Sequence, residues 1–532
     1  MRSRPLAAVA AVAVAAFALA GCSSSGGGTS ADTGETSFVY AISEPDHLTP
    51  GRQTVAFAPT MALFSPLTSV ADDGTISYVQ AESVTSDDAT VWTITLRDGW
   101  TFHNGEPVTA QSYVDAWNYE ALSTNAWENA GQLAGIEGYD AVHPDEGDPT
   151  AETLSGLAIV DDLTFTVTLS APDSSFPMQL SDAQTGFYPM PEAAYDDLDA
   201  YDRAPIGNGP FEMVDTWQDN TEFTMEAYAD YAGTPAGVDE VVFRPYTDMD
   251  TAYTDVLAGN ADLLYLPSDK YTSADADFGD HLFVLEAPGI DYLGFPLWDE
   301  QYSDKRVRQA ISMAIDRDAV NDAIYGGIYE PATAYTPPIM DGTPEGICGE
   351  YCEFDPDAAK ALLAEAGGFE GSIEIDYPGG LGLDDLFEAY ANQIRQNLGV
   401  DAVAVPSTDW AEYWQTLVDS TVTGPHFGHW GALYTSQQNT LRALFTTSGG
   451  CTLCTGQYSN DEVDSLLAQA DAAATTDEAA ALYAQAQTVV MEDFPIVPTF
   501  FDSYAYVTSA KIAELPSLAG SPVTQQIELA SS

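Results

Sequence analysis

Residues 92–119, WTITLRDGWTFHNGEPVTAQSYVDAWNY, leave few choices for their local fold. Apolar residues alternate with threonine over residues 92–96, which is the period of a strand buried on one face. Asn104-Gly105 is typical of the two positive-φ positions of a tight hairpin turn, and Pro107 ends the pairing because it has no amide proton. The sequence therefore predicts a strand followed by a hairpin.

The second half of this segment has the spacing of a helix. Thr109 stands where an N-cap is expected, and apolar residues follow at Ala110, Val114, Trp117 and Ala121. Intervals of three and four residues place such side chains on one face of a helix. None of these residues has a catalytic character, so the segment predicts architecture rather than chemistry.

Length and charge narrow the class of protein. At 532 residues, with 45% hydrophobic and 11% aromatic residues, the chain can bury several cores, and two or three structural units are expected. Acidic residues outnumber basic ones by 82 to 15, a net charge of −67. Such a surface repels phosphates, so neither nucleic acid nor anionic lipid bound through charge is expected as a partner. The acidic surface keeps the chain soluble in a medium whose salt screens it, or attracts cationic solutes.

The first 21 residues have the pattern of an export signal. Arg2 and Arg4 precede an apolar run over residues 6–19, which is too short to span a bilayer core of about 30 Å. The run ends in LAGC, which resembles the bacterial lipobox, and this resemblance implies lipid attachment at Cys22 after cleavage. Residues 22–37 then have the serine and glycine content of a flexible tether. The alternative is an ordinary secretory signal with an incidental cysteine.

Four further cysteines fall into two short pairs, Cys348 with Cys352 and Cys451 with Cys454. An even number in an exported chain favours disulfides, either two local ones or two that link the pairs. The spacings would also suit a four-cysteine zinc site, but an oxidising compartment disfavours free thiolates. The sequence therefore predicts disulfides and no metal.

Other candidate chemistry is weak. His426 and His429 lie in the run GPHFGHWGALY, which is predicted to be extended, so imidazoles three residues apart point to opposite faces. The chain has neither a G-x-S-x-G elbow nor an H-E-x-x-H helix. Neighbouring carboxylates are common in so acidic a sequence and indicate solvated faces. No catalytic residue, cofactor or enzyme activity is predicted.

Several segments resemble one family. The order of parts in residues 92–119 closely resembles the signature of the peptide-binding (oligopeptide, dipeptide and nickel) family of extracytoplasmic solute-binding proteins, family 5 of the receptors of ABC importers. Residues 161–172 (DDLTFTVTLSAP) resemble the equivalent segment of its oligopeptide-binding branch, and further family segments are resembled by residues 43–50 (SEPDHLTP), 205–211 (PIGNGPF) and, as the most specific later match, 304–327. The last of these is predicted to be one helix that ends at Gly326-Gly327. The resemblance runs from about residue 38 to residue 512.

The resemblance implies an α/β fold of the type II periplasmic-binding-protein kind, with two lobes, mixed sheets, a hinged cleft and an extra subdomain. It implies a division into lobe I (38–68, 206–288 and 500–532), an extra subdomain (69–205) and lobe II (289–499).

The same resemblance implies a monomeric receptor at the outer face of the cell membrane. It would capture peptides or peptide-like solutes in the cleft and deliver them to a membrane permease with a separate ATPase. In such receptors an extended peptide pairs with the protein backbone. The alternatives are an extracellular hydrolase or adhesive surface lipoprotein, and a receptor for a sugar or a metal chelate.

One position departs from the family pattern. The run 430–434, WGALY, aligns with W-x-A-D-Y, in which the aspartate pairs with the α-ammonium of the peptide. Leucine cannot make that pair, so a solute with a free amino terminus is less expected. The aromatic candidates have core packing as their alternative role. The predicted ligand contacts are Ser43, Glu44, Tyr292, Phe295, Trp430, Leu433 and Tyr434.

Overall fold

The computed structural model describes residues 36–71, 74–181, 186–449 and 451–530. The predicted signal segment, Cys22 and nearly all of the tether lie outside the described residues. No helix of the described part is long and apolar enough to cross a membrane.

The strands of the described chain follow in sequence order. They are β1 (Ser37–Ser43), β2 (Thr68–Val70), β3 (Ile76–Tyr78), β4 (Ala81–Thr85), β5 (Val91–Leu96), β6 (Leu157–Asp161), β7 (Thr164–Thr168), β8 (Phe211–Met213), β9 (Phe223–Ala227), β10 (Glu240–Tyr246), β11 (Leu263–Tyr265), β12 (Leu282–Gly294), β13 (Glu330–Pro331), β14 (Ser372–Tyr377), β15 (Asp401–Pro406), β16 (His426–Gly431), β17 (Val497–Thr508), β18 (Ile512–Glu514), β19 (Ser517–Leu518), β20 (Ser521–Pro522) and β21 (Glu528–Leu529).

The α-helices of the described chain lie between these strands, singly or in groups. They are α1 (Ala58–Leu63), α2 (Ala110–Ala121), α3 (Tyr139–Val142), α4 (Phe176–Gln179), α5 (Leu198–Arg203), α6 (Met249–Ala258), α7 (Tyr271–Phe278), α8 (Glu300–Ser303), α9 (Lys305–Met313), α10 (Arg317–Val320), α11 (Pro356–Glu365), α12 (Asp384–Leu398), α13 (Trp410–Val418), α14 (Gln437–Phe445), α15 (Asp461–Asp471) and α16 (Thr476–Asp493).

One mixed sheet of eleven described strands runs through the protein. Its order is β15-β14-β16-β12-β17-β11-β1-β10-β9-β8, and β13 pairs with β17 outside this path. β1 pairs parallel with β10 and β11, whereas β12 pairs antiparallel with β16 and β17. A separate antiparallel sheet, β4-β5-β7-β6, lies in the region predicted as the extra subdomain.

The two largest hydrophobic cores of the described chain lie along this sheet. The first contains buried residues between Phe38 and Leu263 and between Tyr506 and Ile527. The second contains buried residues between Ile290 and Phe501. The cores therefore separate near residues 289 and 500, where the sequence analysis divides lobe I from lobe II. The domain bounds themselves stay a prediction.

β12 and β17 are the strands that run from one core into the other. The register between them shifts after Glu286 and again after Asp291. Register shifts of this kind bend a strand and increase its local twist. The shifts therefore mark the place where the sheet turns from lobe I into lobe II, and the chain passes this place in two adjacent strands.

The segment 92–119 folds as a strand, a hairpin and a helix, as predicted, but the pairing does not end at Pro107: the N–H of Val108 still donates to the carbonyl of Trp100 at 2.9 Å. β5 is followed by α2, and the Thr109 side chain accepts from the N–H of Ser112 as the N-cap. The turn differs from the prediction, because Gly105 has a positive φ of 84° and Asn104 does not. Asn104 instead uses its side-chain oxygen to accept from the N–H of Glu106 at 3.0 Å. The Asn104 side chain thus stabilises the turn, and a second residue in the left-handed conformation is not needed.

The single helix predicted over residues 304–327 is wrong. α9 ends at Met313, and Asp316 caps α10 by accepting from the N–H of Ala319 at 3.0 Å. The buried guanidinium of Arg317 donates to the carbonyls of Ser312 and Pro498 at 3.2 and 2.7 Å. A buried cation needs such acceptors, and the carbonyl groups freed at the end of a helix supply them.

The structure joins Cys348 to Cys352 and Cys451 to Cys454, with Cα atoms 5.6 and 5.3 Å apart. Of the two disulfide arrangements that the sequence leaves open, this is the local one. Both bridges lie beside the second core.

Candidate functional site

Strand β16, with the sequence HFGHWG, is paired along its whole length on one side only. It pairs antiparallel with residues 289–294 of β12 along its whole length. On its other side it pairs with β14 only at His426. No described strand continues this second side, so β16 has a free edge after His426.

The direction of the backbone groups on this edge follows from one hydrogen bond. The N–H of Ala432 donates to the carbonyl of Pro288 at 2.8 Å, on the β12 side. Successive residues of a strand direct these groups to opposite sides. Phe427, His429 and Gly431 therefore direct theirs away from β12. The carbonyl of Phe427 accepts from the hydroxyl of Tyr413. His429 and Gly431 form the open part of the edge.

His426 is fully buried in the first half of β16. Its ring nitrogens lie 3.4 Å from the carbonyl of Gly424 and 3.3 Å from that of Cys454. Burial lowers the pKa of His426 to about 4, although both carbonyls act to raise it. This imidazole is therefore neutral at ordinary pH and belongs to the packing of lobe II.

His429 lies in the second half and meets two carboxylates from neighbouring strands. Its Nδ1 is 3.0 Å from Oδ1 of Asp291 on β12 and 3.8 Å from Oδ2 of Asp502 on β17. Desolvation by the surrounding strands would lower the pKa of His429, but the charges of Asp502 and Asp291 outweigh it and raise this pKa to about 9. Burial raises the pKa of Asp502 to about 7; His429 opposes that rise and Asp291 adds to it. We call these three side chains the crossing triad.

The crossing triad was missed by the sequence analysis. The two histidines point to different environments, as their spacing in a strand predicts. The carboxylates that face His429 come from strands far away in sequence. No local pattern around Asp291 or Asp502 indicates that their side chains meet His429.

Ser43 and Glu44 lie where β1 ends. Ser43 is exposed. The carboxylate of Glu44 accepts from Nε1 of Trp217 at 3.1 Å and from the N–H of Asn220 at 3.0 Å. Glu44 therefore holds a loop of its own lobe, and each of its two carboxylate oxygens already accepts one hydrogen bond.

Tyr292 and Phe295 lie inside the second core, with 2% and 0% of their surface exposed. The Tyr292 ring packs directly against the backbone of Gly428. Neither ring reaches the surface in this structure, so their position favours the alternative role of core packing.

Trp430, Leu433 and Tyr434 are half-buried at and beyond the open end of β16. Nε1 of Trp430 donates to Asn439 at 3.0 Å, and the hydroxyl of Tyr434 donates to Oε1 of Gln438 at 2.6 Å. The orientation of the Trp430 and Tyr434 rings is therefore fixed by hydrogen bonds to α14.

Gln438 also links this region to the predicted extra subdomain. Its Nε2 donates to Oδ1 of Asp173 at 2.7 Å, and the hydroxyls of Ser175 and Ser436 lie 3.2 Å apart. Of the seven predicted ligand contacts, the structure brings together Trp430, Leu433 and Tyr434 beside this junction.

Two cores joined by a pair of strands, with a free strand edge beside the crossing, define a two-lobed binding protein. Residues 75–450 match the family model described as "Bacterial extracellular solute-binding proteins, family 5 Middle". The chain belongs to this family, and the family predicted from the sequence is confirmed. It is a family of solute-binding proteins that act outside the cytoplasm.

Curated relatives extend the match over most of the chain. The periplasmic murein peptide-binding protein MppA of Escherichia coli (strain K12) is 28% identical over 484 residues, which cover 88% of this chain and 86% of MppA. The periplasmic oligopeptide-binding protein OppA of the same organism is 28% identical over 443 residues, which cover 79% of this chain and 78% of OppA.

The fold is confirmed by a solved structure. The unliganded open form of the murein tripeptide-binding protein MppA matches with a TM-score of 0.82 at 23% identity, covering 93% of this chain and 99% of the other. The two-lobed α/β fold predicted from the sequence is therefore correct.

Proposed function

We propose that this protein is the solute receptor of an ABC importer and that it captures an extended peptide or peptide-like solute on the free edge of β16. The solute is bound without chemical change and passed to a membrane permease. The observation that supports this proposal most directly is the open edge at His429 and Gly431, whose backbone groups face away from β12.

A strand edge of this kind suits a peptide for a physical reason. Backbone N–H and C=O groups that lack a strand partner can pair with the main chain of an added peptide, whatever its side chains are. Affinity then comes mostly from the main chain. The names of the relatives MppA and OppA, which refer to peptides, agree with this solute class.

Contacts around the edge complete the proposed site. Trp430, Leu433 and Tyr434 would line it from lobe II, and Ser43 would approach from lobe I. Glu44, Tyr292 and Phe295 would support the site from behind, because their polar groups or rings are engaged within their own lobes. The lobes would close about the crossing of β12 and β17, since the register shifts lie there.

Leu433 sharpens the solute class. It stands where the related pattern has an aspartate for an α-ammonium, and a leucine offers no charge. A peptide with a blocked or absent amino terminus, or a neutral peptide-like solute, therefore suits this site better than a free peptide.

The proposal is tested by the solute itself. The protein purified without denaturation should release an intact small solute on unfolding, identified by mass spectrometry. Adding that solute to emptied protein should decrease the radius of gyration in solution scattering and raise the melting temperature with concentration. A released molecule that the protein converts to a product would instead indicate an enzyme.

The proposed location rests on Cys22, which lies outside the described residues. We infer a mature monomer held at the outer face of the cell membrane by a lipid on this cysteine. Cys22→Ser should move the protein from the membrane fraction to the soluble fraction. Retention of the variant in the membrane would mean that another anchor is used.

A further inference from the structure

The crossing triad brings three metal-ligating groups together from three strands. Asp291 lies directly opposite His429 in the pairing of β12 with β16, and Asp502 comes from β17 on the other side of β12. One ligand atom from each of the three side chains can be chosen so that all lie within 4.8 Å of one another. The three strands meet where the two lobes are joined.

Asp502 carries an unsatisfied group into this cluster. The side chain is only 5% exposed, and its Oδ1 has no hydrogen-bond partner in the described part of the chain. Its Oδ2 lies 1.9 Å from the place where a side chain at position 289 would begin, so Gly289 makes the room that this carboxylate occupies. A buried carboxylate oxygen without a partner is costly, and a bound cation removes that cost.

No lysine or arginine fills this role. Within the described residues, none of the ion pairs of lysine or arginine involves Asp291 or Asp502, and His429 is the basic side chain that contacts both. The three side chains therefore form a compact group with two carboxylates and one imidazole.

Their spacing suits coordination. His429 Nδ1 lies 3.0 Å from Oδ1 of Asp291 and 3.8 Å from Oδ2 of Asp502. Tetrahedral ligand bonds of about 2.0 to 2.2 Å to one zinc ion place neighbouring donor atoms roughly 3.3 to 3.6 Å apart. Shifts of a few tenths of an ångström, a widening on the shorter side and a contraction on the longer side, would bring both oxygens into this range.

The donor set also selects the kind of metal. An imidazole suits zinc and other late first-row ions, whereas carboxylates also accept manganese and magnesium. We propose that Asp291, His429 and Asp502 form a binding site for one divalent transition-metal ion of the Zn²⁺ type at the crossing of the lobes. Three protein ligands leave at least one position open, as in catalytic and exchangeable zinc sites.

A metal at this place would connect β16, which belongs to lobe II, with both crossing strands. His429 is 43% exposed, so the open position of the metal can be reached from solvent. The site goes beyond the proposed peptide capture, which uses the backbone edge of β16 rather than these side chains.

The competing account is an internal ion pair, in which a protonated His429 is shared by the two carboxylates and no metal enters. The experiment is a calorimetric titration of metal-free protein with Zn²⁺. Excess Mg²⁺ must be present, because a chain with a net charge of −67 binds hard cations over its whole surface. A second titration follows the visible absorption of Co²⁺, whose intensity reports a coordination number below six, and comparison with His429→Gln assigns the imidazole ligand.

We expect one Zn²⁺ per chain, with affinity reduced at least tenfold by His429→Gln and by Asp502→Asn. His281→Gln is the matched control, since His281 contacts Thr508 outside the triad, and it should leave binding unchanged. Circular dichroism of each variant verifies its folding, and Asp291→Asn provides a third variant should one of the others unfold. Equal Zn²⁺ binding by the wild type and the triad variants, or no one-to-one binding, would overturn the proposal in favour of the ion pair.

Discussion

The two halves of β16 share one partner strand and differ in almost everything else. In the first half, His426 and Gly428 are buried beside the second core, and His426 also pairs with β14. In the second half, His429 and Gly431 are exposed and their outer edge is free. Residue types repeat between the halves, a histidine and a glycine in each. Their different properties therefore arise from the position in the sheet.

The largest expected difference between the halves concerns the two histidines. Burial gives His426 a pKa of about 4, below the usual value of about 6.5 in an unfolded chain. Between these values the unfolded state binds a proton that the folded state excludes. The contribution of neutral His426 to the free energy of unfolding is therefore fully present above pH 6.5. It decreases as the pH falls towards 4, and the total loss below pH 4 is about 3 kcal/mol.

His429 should behave in the opposite way. Its pKa of about 9 lies above the unfolded value, so the stability that it provides is present below pH 6.5 and is lost as pH rises through 9. Nuclear magnetic resonance titration of the six histidines, with His426→Gln and His429→Gln for assignment, measures both values. Equal pKa values for the two rings would abolish the proposed contrast.

The next effect concerns Leu433, just beyond the open half. Leu433→Asp introduces the carboxylate that the related pattern uses for an α-ammonium, and a charge-assisted hydrogen bond contributes about 1.5 to 3 kcal/mol. Peptides with a free amino terminus should therefore bind roughly ten- to a hundredfold more tightly to the variant.

Calorimetry of one peptide in its free and acetylated forms checks this prediction. The acetylated form is the control and should gain nothing from the substitution. Tighter binding of the free form by the unchanged protein would show that another group already receives the ammonium.

A glycine in each half allows a direct comparison of packing. A Cβ on Gly428 would lie 2.1 Å from the buried ring of Tyr292, so Gly428→Ala should destabilise the protein by about 1 to 3 kcal/mol. A Cβ on Gly431 would meet His429 Nε2 at 3.5 Å, an ordinary contact. Gly431→Ala should then unfold at nearly the same urea concentration as the wild type. Similar losses in both variants would mean that the halves are packed alike.

The smallest effect tests the free edge itself. Gly431→Pro removes one outward N–H, and a peptide bound along the edge should lose one hydrogen bond, about 0.5 to 1.5 kcal/mol of binding free energy. Gly431→Ala keeps the N–H and serves as the control. If proline and alanine bind the solute equally well, the main chain at this position takes no part in capture.

The comparison also shows what sequence reasoning can reach. The family, the two-lobed fold and the cap at Thr109 follow from local patterns, and the structure contains them. In the crossing triad, by contrast, His429 and Asp291 are 138 positions apart. Register shifts between long strands decide whether such residues meet, and no periodicity encodes them.

Other differences have similar causes. The break before Arg317 depends on acceptors that include the carbonyl of Pro498, which belongs to a distant strand. The burial of Tyr292 follows from its position between β16 and β17, so an aromatic side chain that suits a ligand contact equally suits a core. Glu44 is likewise occupied by a loop that the sequence around it does not reveal.

The position of β17 in the sheet has a consequence for how the chain folds. This strand comes near the end of the sequence, yet it lies between β11 and β12 and completes both halves of the sheet. The crossing therefore cannot form until almost the whole chain is available. Folding should be slow, because the closure of very long loops precedes the contacts that reward it. A chain truncated before residue 497 lacks β17, which is central to both lobes. Both lobes should therefore fail to fold in such a chain.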